Sequence, residues 1–310
     1  MIKRYFKLCK ETRKVLYFFL FVLLILGILD LIIPVFASNI IDYLSIKNLN
    51  LFIKTLIILF VLYFTTNTFS YLACRLYSIY FRESFKNIHK KIINRIYDYS
   101  DDELVKLPKG KILSTVNIDS INIAEMADYM FNVLYNFILI ISMLIVFIKT
   151  NVILGIILFF IIVIYAILAF YLTKKSSHYM RGQRFYRDKL TNLLSQTLNG
   201  LREVKTLNLK HSLNVKYDGT RRSWSKKYML KRKYYIAYSV ILKYIRYISK
   251  ILLYVISGVL IFNGKITIGT IILLITYFDN IFTYLTTLVS DVGTVRNYNI
   301  SLERVWELLN

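Results

Sequence analysis

The chain has 310 residues, of which 56% are hydrophobic, and its formal net charge is +23. A soluble domain of this size has fewer apolar residues and shorter apolar runs, so the composition indicates one integral membrane domain over residues 1–310. The basic residues follow the gaps between apolar runs and form no recognisable nucleic-acid-binding module. We therefore expect no nucleic-acid partner.

Six continuous apolar stretches are each long enough to cross a bilayer, which takes about 20 helical residues. Continuous runs favour helices over the alternating strands of a membrane barrel. The predicted spans are 15–37, 51–74, 130–148, 152–172, 234–262 and 266–289. Ahead of them, Ile2, Tyr5, Phe6 and Cys9 recur at helical spacing and predict a short helix along the membrane face. A signal peptide is the alternative, which the long first run and the five further spans disfavour.

Two long basic segments, 75–129 and 173–233, separate the second span from the third and the fourth from the fifth. Helical patterns continue from the spans into both segments, which predicts arms that reach about 40 Å from the membrane. The three short connections between the other spans contain one basic residue each, Lys47, Lys149 and Lys265. Because lysine and arginine are enriched on the cytoplasmic side, we expect cytoplasmic arms and cytoplasmic termini in a multi-pass plasma-membrane protein.

Three motifs occur in order along these elements. They are KGKILSTVNID at 109–119, LSQTLNGLREVK at 194–205, and NGKITIGT at 263–270 followed by SLERVWELL at 301–309. Their order and spacing against six spans resemble the transmembrane domain of ABC exporters of the type IV kind, over the whole chain. The resemblance implies an all-α fold of six transmembrane helices with long cytoplasmic helical extensions. Gln196 and Thr115 depart from the glutamate and arginine that are common in the family.

The resemblance also implies that two short elements, Lys111–Asp119 and Asn208–Asn214, contact a nucleotide-binding domain. Without the resemblance, both would be interpreted as ordinary polar turns. The implied coupling residues are Lys111, Ser114, Asn117 and Asp119 in the first element, and Asn208, Lys210, His211 and Asn214 in the second.

The sequence has no phosphate-binding loop of the form G-x-x-x-x-G-K-[ST], since Ile266 follows Gly264-Lys265. We therefore expect residues 1–310 to bind no cofactor and to have no ATPase activity alone. By resemblance, ATP and Mg act through a nucleotide-binding domain absent from this chain. The other implied partners are a second transmembrane half, as a homodimer or heterodimer, the lipid bilayer and the exported substrate.

Charged residues inside apolar spans are energetically costly and therefore informative. Lys243, Arg246 and Lys250 recur on one face of span five. One interpretation is a cytoplasm-facing cavity with a basic wall for anionic cargo. The other is structural, with snorkelling cations and a paired aspartate in span six. The candidate cavity residues are Arg75, Tyr71, Arg246, Lys250, Tyr277 and Asp279.

The chain has two cysteines and three scattered histidines, and their spacing predicts neither a disulfide framework nor a metal site. The function implied by the resemblance is ATP-driven export of a peptide, lipid or amphipathic small molecule by alternating access. A non-enzymatic channel or sensor that keeps this architecture is the alternative. The coupling motifs favour the exporter, because a channel has no use for them.

Overall fold

The computed structural model describes residues 2–100 and 109–309, and these residues form long helices and no strand. The elements in chain order are α1 (Ile2–Leu8), a 3-10 turn (Lys10–Thr12), α2 (Arg13–Ser45), α3 (Leu49–Tyr97), α4 (Lys109–Ser114), a π-helical segment (Thr115–Asp119), α5 (Ser120–Thr150), α6 (Val152–Asn199), α7 (Leu201–Thr206), α8 (Lys210–Phe262) and α9 (Ile268–Leu309). In the described ranges, six helices are long and apolar enough to cross a membrane. The predicted all-α membrane fold with six spans is confirmed.

In the short connections, a polar side chain caps the N-terminus of the next helix. Asn151 Oδ1 accepts a hydrogen bond from the Leu154 amide at 3.1 Å, which satisfies one of the amides that a helix N-terminus leaves without a partner. Gly155 then lets α6 return closely along α5, because a Cβ at this position would lie 2.4 Å from Ile148 Cγ1. A substituted residue 155 would force the two helices apart at this turn.

The chain divides into two compact units. The first comprises residues 1–158 and 252–310, and the second comprises residues 159–251. In the first unit, α9 packs along α5 and α2, and α2 packs along α3. A central cluster of buried apolar side chains joins α1, α2, α3, α5 and the end of α9.

The short N-terminal helix exists as predicted, but its apolar side packs on protein. Tyr5 and Leu8 are buried, and the hydroxyl of Tyr5 shares a hydrogen bond with that of Tyr80 on α3. The Lys91 ammonium donates to the Leu8 carbonyl at 2.9 Å. Protein therefore covers the apolar side of this helix, because helical spacing identifies an apolar face without identifying what covers it, and the place of the helix along the membrane face stays a prediction. Burial also raises the pKa of the Cys9 thiol, which keeps it protonated and a poor nucleophile.

In the second unit, α6 and α8 form an antiparallel hairpin whose tip contains α7. The ring of Tyr179 stacks on that of Tyr234 with centroids 5.1 Å apart, and Gly182 lies against Lys227 further along the pair. The break after α6 falls at Gly200, between the two halves of the second motif. Both helices continue without interruption from their apolar stretches into the arm, as the sequence predicts.

Candidate functional site

The first predicted coupling element is continuous with α5 through the π-helical segment. Leu113, Asn117 and Ile118 are exposed, whereas Thr115 and Asp119 are buried. The segment therefore has a buried side that fixes it and an exposed side that is open to a partner. Single-turn π-helical insertions of this kind are frequent at functional sites.

The four residues predicted for this element have different surroundings. Asn117 lies on the exposed side, Ser114 is half-buried, and Asp119 is buried. The side chain of Lys111 lies outside the described part of the chain. Asn117 is thus the member whose side chain a partner could reach directly.

The buried side of the first element contacts the closing motif at the end of α9. Asp119 Oδ1 lies 3.8 Å from Arg304 Nη1, and the Asn122 side-chain amide donates to Ser301 Oγ at 3.0 Å. Two of the three sequence motifs therefore meet in the folded chain. In this structure Asp119 joins the first arm to α9 and is turned away from the exposed surface.

The rest of the closing motif is built into the core of the first unit. Leu302 and Val305 are buried in the central cluster, and the Lys7 ammonium lies 5.3 Å from the ring centre of Trp306. The Tyr99 hydroxyl donates to the Leu308 carbonyl at 2.9 Å. The end of α9 is thereby attached to both α1 and the end of α3.

The second predicted coupling element forms the tip of the second unit. Its turn is shorter than predicted, because Lys210, His211 and Asn214 already belong to the first turns of α8. Asn208 has a left-handed backbone with φ of 49°, a conformation that asparagine adopts more readily than most residues. All four predicted residues, Asn208, Lys210, His211 and Asn214, are exposed.

Two leucines lie on either side of this asparagine and are open to solvent. Leu207 is 66% exposed and Leu209 is 40% exposed. Sequence reasoning named only the polar residues of the tip and missed both leucines. The sequence does contain this signal. Leu207-Asn208-Leu209 places two apolar side chains in a turn, where exposed apolar side chains next to each other indicate a contact surface.

The third motif fixes the start of α9 against α2. Asp42 Oδ1 accepts from the Gly269 amide at 2.8 Å, and Asp42 Oδ2 accepts from Thr267 Oγ1 at 2.8 Å. A carboxylate at a helix N-terminus is favourable because it compensates the positive end of the helix dipole. A Cβ at Gly269 would lie only 2.2 Å from the Ser38 carbonyl oxygen, so this contact requires glycine.

A polar contact inside the membrane-spanning part joins three helices of the first unit. Asp30 Oδ2 accepts from the Tyr135 hydroxyl at 2.8 Å and from the Tyr284 hydroxyl at 3.2 Å. The candidate cavity residue Tyr277 is buried on the same helix as Tyr284, and its hydroxyl donates to the Leu31 carbonyl. These tyrosines hold α2, α5 and α9 together within the core.

The candidate cavity residues divide between the two units. Tyr71 and Arg75 are exposed on α3, and Asp279 is half-buried on α9. Arg246 and Lys250 are half-buried on α8, in the second unit. The candidates in the first unit are Tyr71, Arg75, Tyr277 and Asp279, and those in the second are Arg246 and Lys250.

An acidic cluster in the first unit was missed by the sequence analysis. The Tyr298 hydroxyl donates to Glu125 Oε2 at 2.7 Å, and Asp128 lies close enough to Glu125 and Asp291 for their charges to interact. Asp291 is only 6% exposed, and its Oδ2 is buried without a hydrogen-bond partner among the described atoms. Glu125 and Asp128 were missed because they lie in the first basic segment, 75–129, and Asp291 because it lies just after the predicted sixth span.

The match to known families extends from the first candidate span into the sixth. Residues 16–285 match the family model described as the ABC transporter transmembrane region. No curated protein matches the chain. The matched range includes both arms and the start of the third motif, in agreement with the six-span architecture. The chain belongs to the ABC transporter transmembrane family.

Proposed function

We propose that this protein is the membrane-spanning half of an ATP-driven exporter. It would lie in the plasma membrane with both termini in the cytoplasm, and would move a peptide, lipid or amphipathic small molecule outward by alternating access. ATP and Mg would be held by nucleotide-binding domains, and a second transmembrane half would complete the transporter. Membership in the ABC transmembrane family supports the transporter part of this proposal.

The exposed tip of the second unit is the observation that supports a contact between this chain and a nucleotide-binding domain. Leu207 and Leu209 lie in solvent at the end of a hairpin, and burial of apolar surface contributes about 25 cal/mol per Å². A groove on a nucleotide-binding domain would cover these leucines, while Lys210 and His211 would contact its polar rim. The exposed side of the first element, with Leu113 and Ile118, supports a second contact of the same kind.

The helices that lead to the tip suit the transmission of movement. α6 has 48 residues and α8 has 53, which correspond to lengths of about 70–80 Å at 1.5 Å per residue. A displacement at the tip would therefore be carried along unbroken helices to the membrane-spanning segments. Rigid elements of this type support domain rearrangements between discrete states.

The charge of α8 supports cargo with an anionic group. Lys243, Arg246 and Lys250 share one helical face, and Arg75 on α3 adds a further exposed cation. A cation placed against lipid at mid-membrane depth costs about 3 kcal/mol on insertion scales. A water-filled pathway would remove this cost and would place the cations beside the cargo.

The proposal requires the arms and the outer connections to face opposite sides of the membrane. We expect single cysteines at Lys47, Lys149 and Lys265 to react with an impermeant thiol reagent added to intact cells. Cysteines at Asp98, His211 and Ile300 should react only after permeabilisation. All six positions are exposed, so a lack of reaction reports sidedness and not burial.

The labelling experiment uses a parent in which Cys9 and Cys74 are replaced by alanine and serine. Cys9 is buried and Cys74 is exposed, so the second replacement removes the main background reaction. Labelling at His211 from outside intact cells would place the tip on the side without ATP. That result would rule out the proposed exporter.

A further inference from the structure

The positive charge of the protein is concentrated in the second unit. Residues 159–251 contain 20 of the 41 lysines and arginines but only three of the 18 acidic residues. Neither 171–187 nor 219–250 contains an aspartate or glutamate. These two stretches pair in the antiparallel hairpin next to the predicted ends of spans four and five. The hairpin therefore has a dense cationic surface without carboxylates of its own in these stretches.

A small cavity opens between the two helices in this region. It has a volume of about 240 Å³ and is lined by His178, Tyr179, Arg181 and Gly182 of α6 and by Lys227 of α8. A Cβ at Gly182 would lie 3.4 Å from Lys227 Cδ. The lysine stem therefore lies in van der Waals range of α6 at Gly182. The cavity combines an arginine, a lysine, an imidazole and an aromatic wall.

The aromatic wall continues toward the membrane. The Tyr179 ring is stacked on Tyr234 with an interplanar angle of 6°, and Lys175 Nζ lies 4.9 Å from the Tyr234 ring centre and 5.7 Å from that of Tyr171. Tyrosine side chains suit the headgroup level of a bilayer, where one end is apolar and the other wet. Arg181 lies nine residues beyond the end of the predicted fourth span, or about 14 Å along the helix.

We propose that this cavity binds the phosphate headgroup of an anionic lipid from the adjacent leaflet. Arg181 would donate to two phosphate oxygens, since its planar guanidinium matches phosphate geometry. Lys227 would add a point charge from the opposite helix. Basic pockets between membrane helices on the cytoplasmic side are known to suit acidic headgroups. The site does not depend on export, only on the cavity facing the cytoplasmic leaflet.

The binding of phosphatidylglycerol to the full chain in neutral detergent micelles tests this proposal, with native mass spectrometry as the readout. We expect the parent to bind phosphatidylglycerol and to bind phosphatidylcholine much more weakly. The double variant Arg181→Gln, Lys227→Gln should bind phosphatidylglycerol roughly 10- to 30-fold more weakly, since each cation near an anionic headgroup contributes appreciably. Arg181→Lys keeps the charge but loses the two-point contact, so it should show a smaller loss.

The matched control is Lys205→Gln, Lys216→Gln, which removes the same charge from exposed positions near the tip of the same hairpin. The control should bind phosphatidylglycerol like the parent. Equal losses in the two double variants would show general attraction to a basic surface and would overturn the proposal. Displacement of the lipid by millimolar inorganic phosphate would identify a soluble phosphate as the ligand and would also overturn it. Unchanged thermal unfolding of both variants would show that the fold survives, and micelle binding requires no ATP, so failure here leaves the exporter proposal unaffected.

Discussion

Replacement of Leu207 and Leu209 by aspartate is expected to reduce transport coupled to ATP by an order of magnitude or more. Both leucines lie at the tip that we propose to dock on a nucleotide-binding domain, and a carboxylate buried in an apolar contact is costly unless it is paired. Because the leucines are exposed, the fold should be affected by less than about 0.5 kcal/mol. Vesicle transport and ATP hydrolysis are measured together, and the ratio of the two should fall.

The chain contains a closely matched control for this variant. Met229 and Leu230 are adjacent on the same hairpin and are 64% and 39% exposed, close to the values for Leu207 and Leu209. Their replacement by aspartate introduces the same charge on α8 away from the tip. Parent-like transport by the tip variant, or equal losses in both double variants, would show that the tip is not the coupling surface.

Gly269→Ala is expected to be strongly destabilising although it adds only one methyl group. The new Cβ would lie 2.2 Å from the Ser38 carbonyl oxygen and 2.6 Å from the Asp42 carboxylate. Backbone atoms cannot move aside without separating α9 from α2, which would also break the Asp42 hydrogen bonds to Thr267 and Gly269. Overpacking and the loss of bonds to a charged group together cost roughly 3–6 kcal/mol.

Thermal unfolding in detergent measures this effect. The readout is the fraction of protein that remains monodisperse at each temperature. The control is Gly258→Ala in α8, where nothing lies within 4 Å of the added Cβ. Alanine has the higher helix propensity, so this control should be neutral or stabilising by up to about 1 kcal/mol. If the two alanine variants unfold at the same temperature, the close contact of α9 with α2 is not a determinant of stability.

The number and type of spans could be predicted because both follow from the length of apolar runs. A continuous run of about 20 apolar residues has few stable alternatives to a spanning helix. The long arms were also predictable, since helical periodicity continues past the membrane in α3 and α6. Helix ends were less predictable. The predicted first span stops at residue 37, whereas α2 continues through Pro34 to Ser45.

The partners of individual side chains could not be predicted, because they depend on contacts between distant parts of the chain. The motif residues Asp119 and Arg304 are far apart in sequence, and no local pattern indicates that they meet. The partner of Gly269 is Asp42, which belongs to no recognised motif. The apolar side of α1 was visible in the sequence, but only the fold shows that Tyr80 covers it.

The acidic cluster illustrates a different limit of sequence reasoning. Glu125 and Asp128 are one turn apart on α5, which suggests a common face, but Asp291 comes from α9 and joins them only through the packing of these helices. The candidate basic residues Arg246 and Lys250 are one turn apart on α8 for the same local reason. Periodicity predicts which residues share a helix face, but it does not predict which faces meet.

The most direct test is ATP-driven uptake into inside-out membrane vesicles that contain the chain together with its nucleotide-binding domains. A fluorescent anionic amphiphile serves as the probe, with a non-hydrolysable ATP analogue as the control. The exporter account predicts accumulation against the gradient with ATP and none with the analogue. Equilibration of the probe at the same rate with and without ATP, dependent on the chain, would identify a passive channel and contradict the account.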